Sequence, residues 1–423
     1  MSRDIASDAR RDDALRTLLI TLTGRDRPGV TSRLFGALAD HPVHVVDVEQ
    51  VVIRGRLVLG VLVSFEDAAA VPEIQRAVRR VGTDLGMETE VATGIGNGDP
   101  KLRGRLHVTV LAVPLLPSAM AGIAGRIAAC GANIDRIVRL AHYPVTCIEL
   151  EVSGAEPEWL RAELAAEAVI RDVSVSVQRS GLHRRAKRLV VMDVDSTLVQ
   201  GEAIELLAEE ADRTGELPDQ VRRITEAAMR GELDFTAALR ERVALLKGLD
   251  VAVVKGVRDR LRLAPGARTL VRTLKRLDYR FAIVSGGFTQ ITDELVGDLG
   301  IDYAAANTLE VADGRLTGEL VGPVVDRAGK AAALRRFAHQ AGVPLGQTVA
   351  IGDGANDVDM IAAAGLGIAF NAKPLVREVA DTTVNVPYLD AILFMLGISR
   401  EEVEAADAED DVQDDAGDSE ALP

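Results

Sequence analysis

Residues 188–200 read RLVVMDVDSTLVQ. Four aliphatic residues, Leu189 to Met192, run without polar alternation, which predicts a short strand buried on both faces, as in a parallel sheet covered by helices. The run stops abruptly in an acidic, hydroxyl-bearing loop, Asp193-Val194-Asp195-Ser196-Thr197. Two later stretches repeat the pattern: RFAIVS (280–285) leads into Gly286-Gly287, and TVAIGD (348–353) leads into Gly354-Ala355-Asn356-Asp357. Helical stretches such as ARTLVRTLKRL, TQITDELVGDLG and KAAALRRFAHQAG alternate with these strands, with a hairpin expected at Asp313-Gly314. The fold class is α/β, a doubly wound parallel sheet whose ligand crevice lies at the carboxyl ends of the strands. The suspicious polar residues sit at those ends.

Working outward, about residues 202–262 read as helix without strand signal, a helical insertion after the first strand. Upstream, residues 17–95 follow the order βαββαβ, and 101–180 repeat it at an offset near 89, with Gly94–Pro100 as a Gly-rich linker. The domains expected are thus 17–95, 101–180 and 185–398. Residues 401–423 hold eleven acids and no Lys or Arg, and are expected to be a disordered acidic tail. The net charge of −15 is largely that tail; the rest carries 53 acids against 49 bases. No basic face or aromatic array recommends nucleic acid. No apolar run reaches the roughly 20 residues of a membrane helix, and the N-terminus lacks a secretory h-region. Two cysteines, Cys130 and Cys147, exclude a disulfide framework. A cytoplasmic enzyme is the expected class.

If the three strands are neighbours, their loops gather Asp193, Asp195, Asp353 and Asp357 with Lys330, hydroxyls and free backbone amides. Carboxylates that close repel, so a cation is required, and hard oxygen donors favour Mg²⁺. Such a site suits phosphoryl transfer, where positioning and charge neutralisation do most of the catalysis. Two carboxylates at i, i+2 past a strand end can divide the labour, Asp193 attacking phosphorus and Asp195 acting as proton donor and then base.

These residues resemble the four motifs of the haloacid dehalogenase-like superfamily, and over roughly 185–395 the chain looks most like its phosphoserine phosphatases. The resemblance implies an aspartyl-phosphate on Asp193, with Asp195 as acid and base. It implies Mg²⁺ held by Asp193, the main-chain carbonyl of Asp195, and Asp353, with Asp357 in an outer shell. Ser285, Gly286 and Lys330 would bind phosphoryl oxygens, and Asn356 phosphate or substrate. The helical insertion resembles the family's cap (about 202–262), in which Glu202 would face the substrate ammonium and Arg242 its carboxylate, while Met229 and Phe235 would exclude water. The substrate implied is phosphoserine, which places the enzyme at the end of serine synthesis.

The two upstream repeats resemble ACT domains, which commonly bind amino acids where paired modules meet. In the first, Asp26, Arg27, Pro28 and Gly29 match the loop before the first helix, where backbone amides suit a carboxylate such as that of L-serine. The second departs from the pattern, with Val113-Pro114-Leu115-Leu116-Pro117. Pairing of the modules implies a homodimer. Two alternatives stand beside this reading: a phosphatase or phosphotransferase for another small phosphoester, and an amino-acid sensor whose phosphatase-like half is non-catalytic.

Overall fold

The computed structural model describes residues 15–96, 105–181, 184, 186–212, 215–229 and 233–409. It divides into two compact units, Met1–Arg103 and Gly104–Pro423.

The first unit contains β1 (Arg16–Arg25), α1 (Val30–Ala39), β2 (Val43–Ile53), β3 (Arg56–Phe65), α2 (Val71–Leu85) and β4 (Glu88–Ile95). The strands form an antiparallel sheet in the order β2-β3-β1-β4. Alternation along β1 and β3 buries Leu18, Ile20, Leu22, Leu57, Leu59, Val61 and Val63 against α1 and α2. The edge strand β2 instead leaves Val45, Val48, Val51, Val52 and Ile53 exposed.

The second unit begins with the repeat: β5 (Leu106–Ala112), α3 (Pro117–Ala129), β6 (Asn133–Ala141), β7 (Thr146–Ser153), α4 (Pro157–Arg171) and β8 (Ser174–Arg179). Next come β9 (Leu189–Asp193) and the cap helices α5 (Ala203–Ala211), α6 (Glu216–Met229), α7 (Phe235–Ala244) and α8 (Val253–Arg260). The chain continues through α9 (Ala267–Arg276), β10 (Arg280–Phe288), α10 (Thr289–Leu299), β11 (Tyr303–Ala312) and β12 (Arg315–Val321). It closes with α11 (Arg327–Gln340), β13 (Thr348–Gly352), α12 (Val358–Ala363), β14 (Gly367–Phe370), α13 (Pro374–Val379), β15 (Thr382–Val384) and α14 (Ile392–Met395).

All these strands belong to one eleven-stranded sheet, β12-β11-β10-β9-β13-β14-β15-β8-β5-β7-β6. The boundary expected near residue 180 is therefore crossed. Thr382 of β15 pairs with Ser176 of β8, and their hydroxyls hydrogen-bond at 2.7 Å. Gln178 Nε2 donates to the Met395 carbonyl at 2.8 Å, and Asn385 N to Ser174 Oγ at 2.9 Å. Leu111, Leu140, Val145 and Cys147 of the repeat share one apolar core with Val190, Met192, Leu393 and Phe394. Strand-edge pairing between distant segments has no local signature, so the sequence concealed it.

The tail also differs from expectation. Residues 400–409 are helical; Val403 is buried, and Asp407 pairs with Arg272 and Arg276, each at 2.6 Å. Core contact and ion pairs outweigh like-charge repulsion there. Residues 410–423 lie outside the described residues, as do 97–100 of the expected linker.

Candidate active site

Strands β10, β9 and β13 are parallel neighbours, with Val284 opposite Asp193 and Ile351 opposite Met192. The three polar loops therefore leave the same edge of the sheet and open into one cavity of about 270 Å³. The carboxylates of Asp193, Asp353 and Asp357 come within 4.8 Å of one another. Lys330, fully buried in the first turn of α11, reaches Asp193 Oδ1 at 2.6 Å and Asp357 Oδ1 at 2.7 Å. The other Asp357 oxygen accepts the amides of Asp353 (3.2 Å) and Gly354 (2.9 Å). That turn needs a glycine at 352, because a Cβ there would stand 2.4 Å from Asp357 Cγ.

Three carboxylates around one ammonium leave surplus negative charge. Burial, reinforced by Asp357, holds Asp193 well above the usual carboxylate range and pushes Asp353 up to about 6. Burial works against the charge of Lys330, but Asp193 and Asp357 outweigh it and hold the ammonium above its ordinary value. A buried set of hard oxygen donors with unneutralised charge fits a divalent metal ion.

Asp195 lies beside this cluster. Its Oδ1 accepts the Ala203 amide at 2.8 Å, and its Oδ2 accepts the Ser285 hydroxyl at 2.9 Å. Ser285 and Lys330 do not line the cavity; their polar atoms are engaged with Asp195, and with Asp193 and Asp357. Gly286, Gly287 and Asn356 do face the cavity, and a Cβ on Gly286 would lie 3.0 Å from the Phe235 ring.

The cap supplies the opposite wall. Glu202 ends the loop before α5, and burial followed by the charge of Asp195 pushes it up to about 7. Arg242, buried on α7, donates from Nη1 to Thr225 Oγ1 at 3.0 Å and from Nε to the Ala238 carbonyl at 3.3 Å. Burial lowers its guanidinium from the ordinary value, with Glu202 opposing. Phe235 opens α7 behind the Asp234 cap and lines the cavity. Met229 ends α6, and its side chain lies outside the described residues.

Sequence reasoning missed three residues. Thr197 Oγ1 donates to Asp353 Oδ1 at 3.0 Å; its place in the DVDST loop was the available signal. Thr225 supports Arg242 across two helices, and Lys373 lines the cavity; neither carries a local signal. In the first unit, Asp26, Arg27, Pro28 and Gly29 form an exposed turn, with Asp26 N donating to the Gly55 carbonyl at 2.8 Å. Gly29 takes φ 94°, a left-handed conformation suited to glycine, immediately before α1.

The fold and the site define a haloacid dehalogenase-like hydrolase, and the family model of that description matches residues 190–362. ACT domain models match residues 16–92 and 106–178. Phosphoserine phosphatase of Streptomyces coelicolor is 58% identical over 407 residues, spanning 96% of this chain and 98% of that one. A phosphoserine phosphatase of Mycobacterium tuberculosis is 52% identical over 404 residues, 93% of this chain and 96% of the relative. Among solved structures, a probable phosphoserine phosphatase from Vibrio cholerae, unliganded, aligns with TM-score 0.54 and 33% identity, covering 71% of this chain and 88% of that one. The chain belongs to the phosphoserine phosphatase family, with two ACT domains ahead of the catalytic domain. Among the described residues, no helix is long and apolar enough to cross a membrane.

Proposed function

We propose that this protein is a Mg²⁺-dependent phosphoserine phosphatase, hydrolysing O-phospho-L-serine to L-serine and phosphate as the last step of serine synthesis in the cytoplasm. The observation that supports it most is the convergence of Asp193, Asp195, Asp353, Asp357 and Lys330 opposite a cap wall holding Glu202 and Arg242. A zwitterionic head group needs one anion and one cation, and that wall supplies both. Mg²⁺, when bound by Asp193, Asp353 and the main-chain carbonyl of Asp195, neutralises these groups and the phosphoryl oxygens; Asp357 supports the set from outside it.

Both named contacts to the Asp193 carboxylate, the Val194 amide at 2.8 Å and Lys330, fall on Oδ1. Oδ2 attacks phosphorus and forms the aspartyl-phosphate, while the P–O bond to serine breaks. The Asp195 carboxyl gives its proton to the departing serine oxygen, then takes one from water as that water attacks the aspartyl-phosphate. Free phosphate leaves and Asp193 is restored. The Gly286 amide and Asn356 receive the transferring oxygens, and Phe235 excludes water.

The first ACT domain binds an amino-acid effector, L-serine, through the Asp26–Gly29 turn, and the chain pairs into a dimer through its ACT domains. The exposed apolar edge strand β2 supports pairing. The test is phosphate release from a panel of phosphoesters, with and without Mg²⁺ and acceptor alcohols. Phosphoserine is expected to lead, and Arg242→Ala to raise KM for phosphoserine about tenfold or more while moving an aryl phosphate little. Equal effects on both substrates would remove Arg242 from the pocket, and phosphoryl transfer to an added alcohol would favour the phosphotransferase.

A further inference from the structure

Asn307 lies on β11, is 2% exposed, and does not line the cavity. Its side-chain amide uses both ends. Nδ2 donates to the Gly286 carbonyl at 2.8 Å, and Oδ1 accepts the Val325 amide at 2.8 Å. Because a carbonyl can only accept and a backbone N–H can only donate, these partners fix which way the amide faces.

The Gly286 carbonyl belongs to the same planar peptide group as the Gly287 amide, so holding one end orients the other. That Gly287 N–H donates to Ser285 Oγ at 2.7 Å. Having accepted it, the hydroxyl directs its own hydrogen to Asp195 Oδ2 at 2.9 Å. A one-way series of donors thus runs from Asn307 through the Gly286–Gly287 peptide and Ser285 to the Asp195 carboxylate, in a buried setting where successive hydrogen bonds reinforce one another. On its other side, Val325 precedes Asp326, whose carboxylate caps α11 by accepting Gly329 N at 2.8 Å. Lys330 follows in that first turn. One side chain therefore ties the loop after β10 to the start of the helix that carries Lys330.

We infer that Asn307 is a positioning residue for the phosphatase reaction, an inference that rests on the function proposed above. It fixes the Gly286–Gly287 peptide in the cavity wall, aims Ser285 at Asp195, and sets the helix start that delivers Lys330 to Asp193. It touches no substrate, so its removal acts on the chemical step rather than on substrate capture.

The experiment compares full-length wild type, Asn307→Ala and Asn307→Asp with Mg²⁺, on phosphoserine and on p-nitrophenyl phosphate, with thermal melting to establish folding. Both variants are expected to lose about tenfold to a hundredfold in kcat on both substrates, the loss of one buried hydrogen-bonded partner. KM is expected to stay within about threefold. The Asn307→Asp deficit relative to wild type should narrow as pH falls, because a protonated carboxyl again donates to the Gly286 carbonyl while an ionised one repels it. Folded variants whose kcat stays within about threefold of wild type, or whose loss lies in KM alone, would overturn the inference. If Asn307→Ala does not fold, the nearly isosteric Asn307→Asp decides. Should wild type turn over the aryl phosphate and not phosphoserine, the substrate proposed above fails, while Asn307 is still judged on the aryl phosphate.

Discussion

The two ACT domains share one element order and one strand order, yet the molecule uses them differently. In the first, the sheet ends at β4 on one side and at the apolar strand β2 on the other. In the second, β8, the counterpart of β4, joins β15 and extends the catalytic sheet. The contrast can be followed at a single pair of residues. Leu22 and Leu111 occupy equivalent positions on β1 and β5, and both are fully buried. Leu22 packs within its own domain, whereas Leu111 joins the core that contains Val190, Met192 and Phe394. The first copy keeps the helix-entry turn expected to hold an effector; the second keeps no such turn and serves as an extension of the enzyme. The two copies share a fold but differ in what they pack against.

The largest effect that would break this comparison comes from truncation. Removing residues 1–103 should leave kcat within about threefold of wild type, measured by phosphate release. Removing 1–180 should abolish recovery of folded protein, because it exposes the β15 edge and strips Leu111, Leu140, Ala141, Val145 and Cys147 from a shared core. A stable, active 181–423 fragment would show that the second copy is dispensable. At the next level, Leu22→Ala and Leu111→Ala should each cost about 2–5 kcal/mol in their own cores. Only Leu111→Ala should lower the temperature at which turnover is lost, read by activity after heating; equal loss from Leu22→Ala would erase the distinction.

A smaller effect separates the catalytic unit by pH. Glu202, pushed up to about 7, is neutral below that pH and no longer attracts an ammonium. kcat/KM for phosphoserine should therefore fall as pH drops through about 7 more steeply than for an aryl phosphate. Linkage gives a companion result without metal. Asp353 and Glu202 hold protons more tightly folded than unfolded, so metal-free stability should fall as pH rises from the ordinary carboxylate range through about 6 and about 7. Added Mg²⁺ should then raise the melting temperature most above that window, and a larger shift at acid pH would contradict the acidic cluster as its site. The smallest effect concerns the first copy: Asp26→Ala together with Gly29→Ala should weaken L-serine binding by calorimetry while leaving basal kcat unchanged.

Much of this was legible in the sequence because its causes are local. Unbroken aliphatic runs ending in Asp193, Ser285 and Asp353 gave the strands and their functional ends, and parallel neighbours brought those ends together. The helical insertion followed from the lack of strand signal over 202–262, and its role as a cap from the family resemblance. What escaped reading depends on distant partners. Thr225 acquires its role from Arg242 on another helix, and Asn307 from loops before and after it. The helix at 400–409 looked like a repelling acidic run until Arg272 and Arg276 came within reach of Asp407. Ser285 and Lys330 were recognised as site residues, but composition could not tell that Ser285 would bond to Asp195 and Lys330 to both Asp193 and Asp357.

The central claim is that Asp193 carries the phosphoryl group. Acid-quenched mixtures of enzyme, Mg²⁺ and phosphoserine, digested and read by mass spectrometry, test it directly. One added phosphoryl group is expected on the peptide bearing Asp193, absent from Asp193→Asn, which should also be inactive. Undiminished turnover by Asp193→Asn, or a phosphoryl group trapped on another residue, would contradict it.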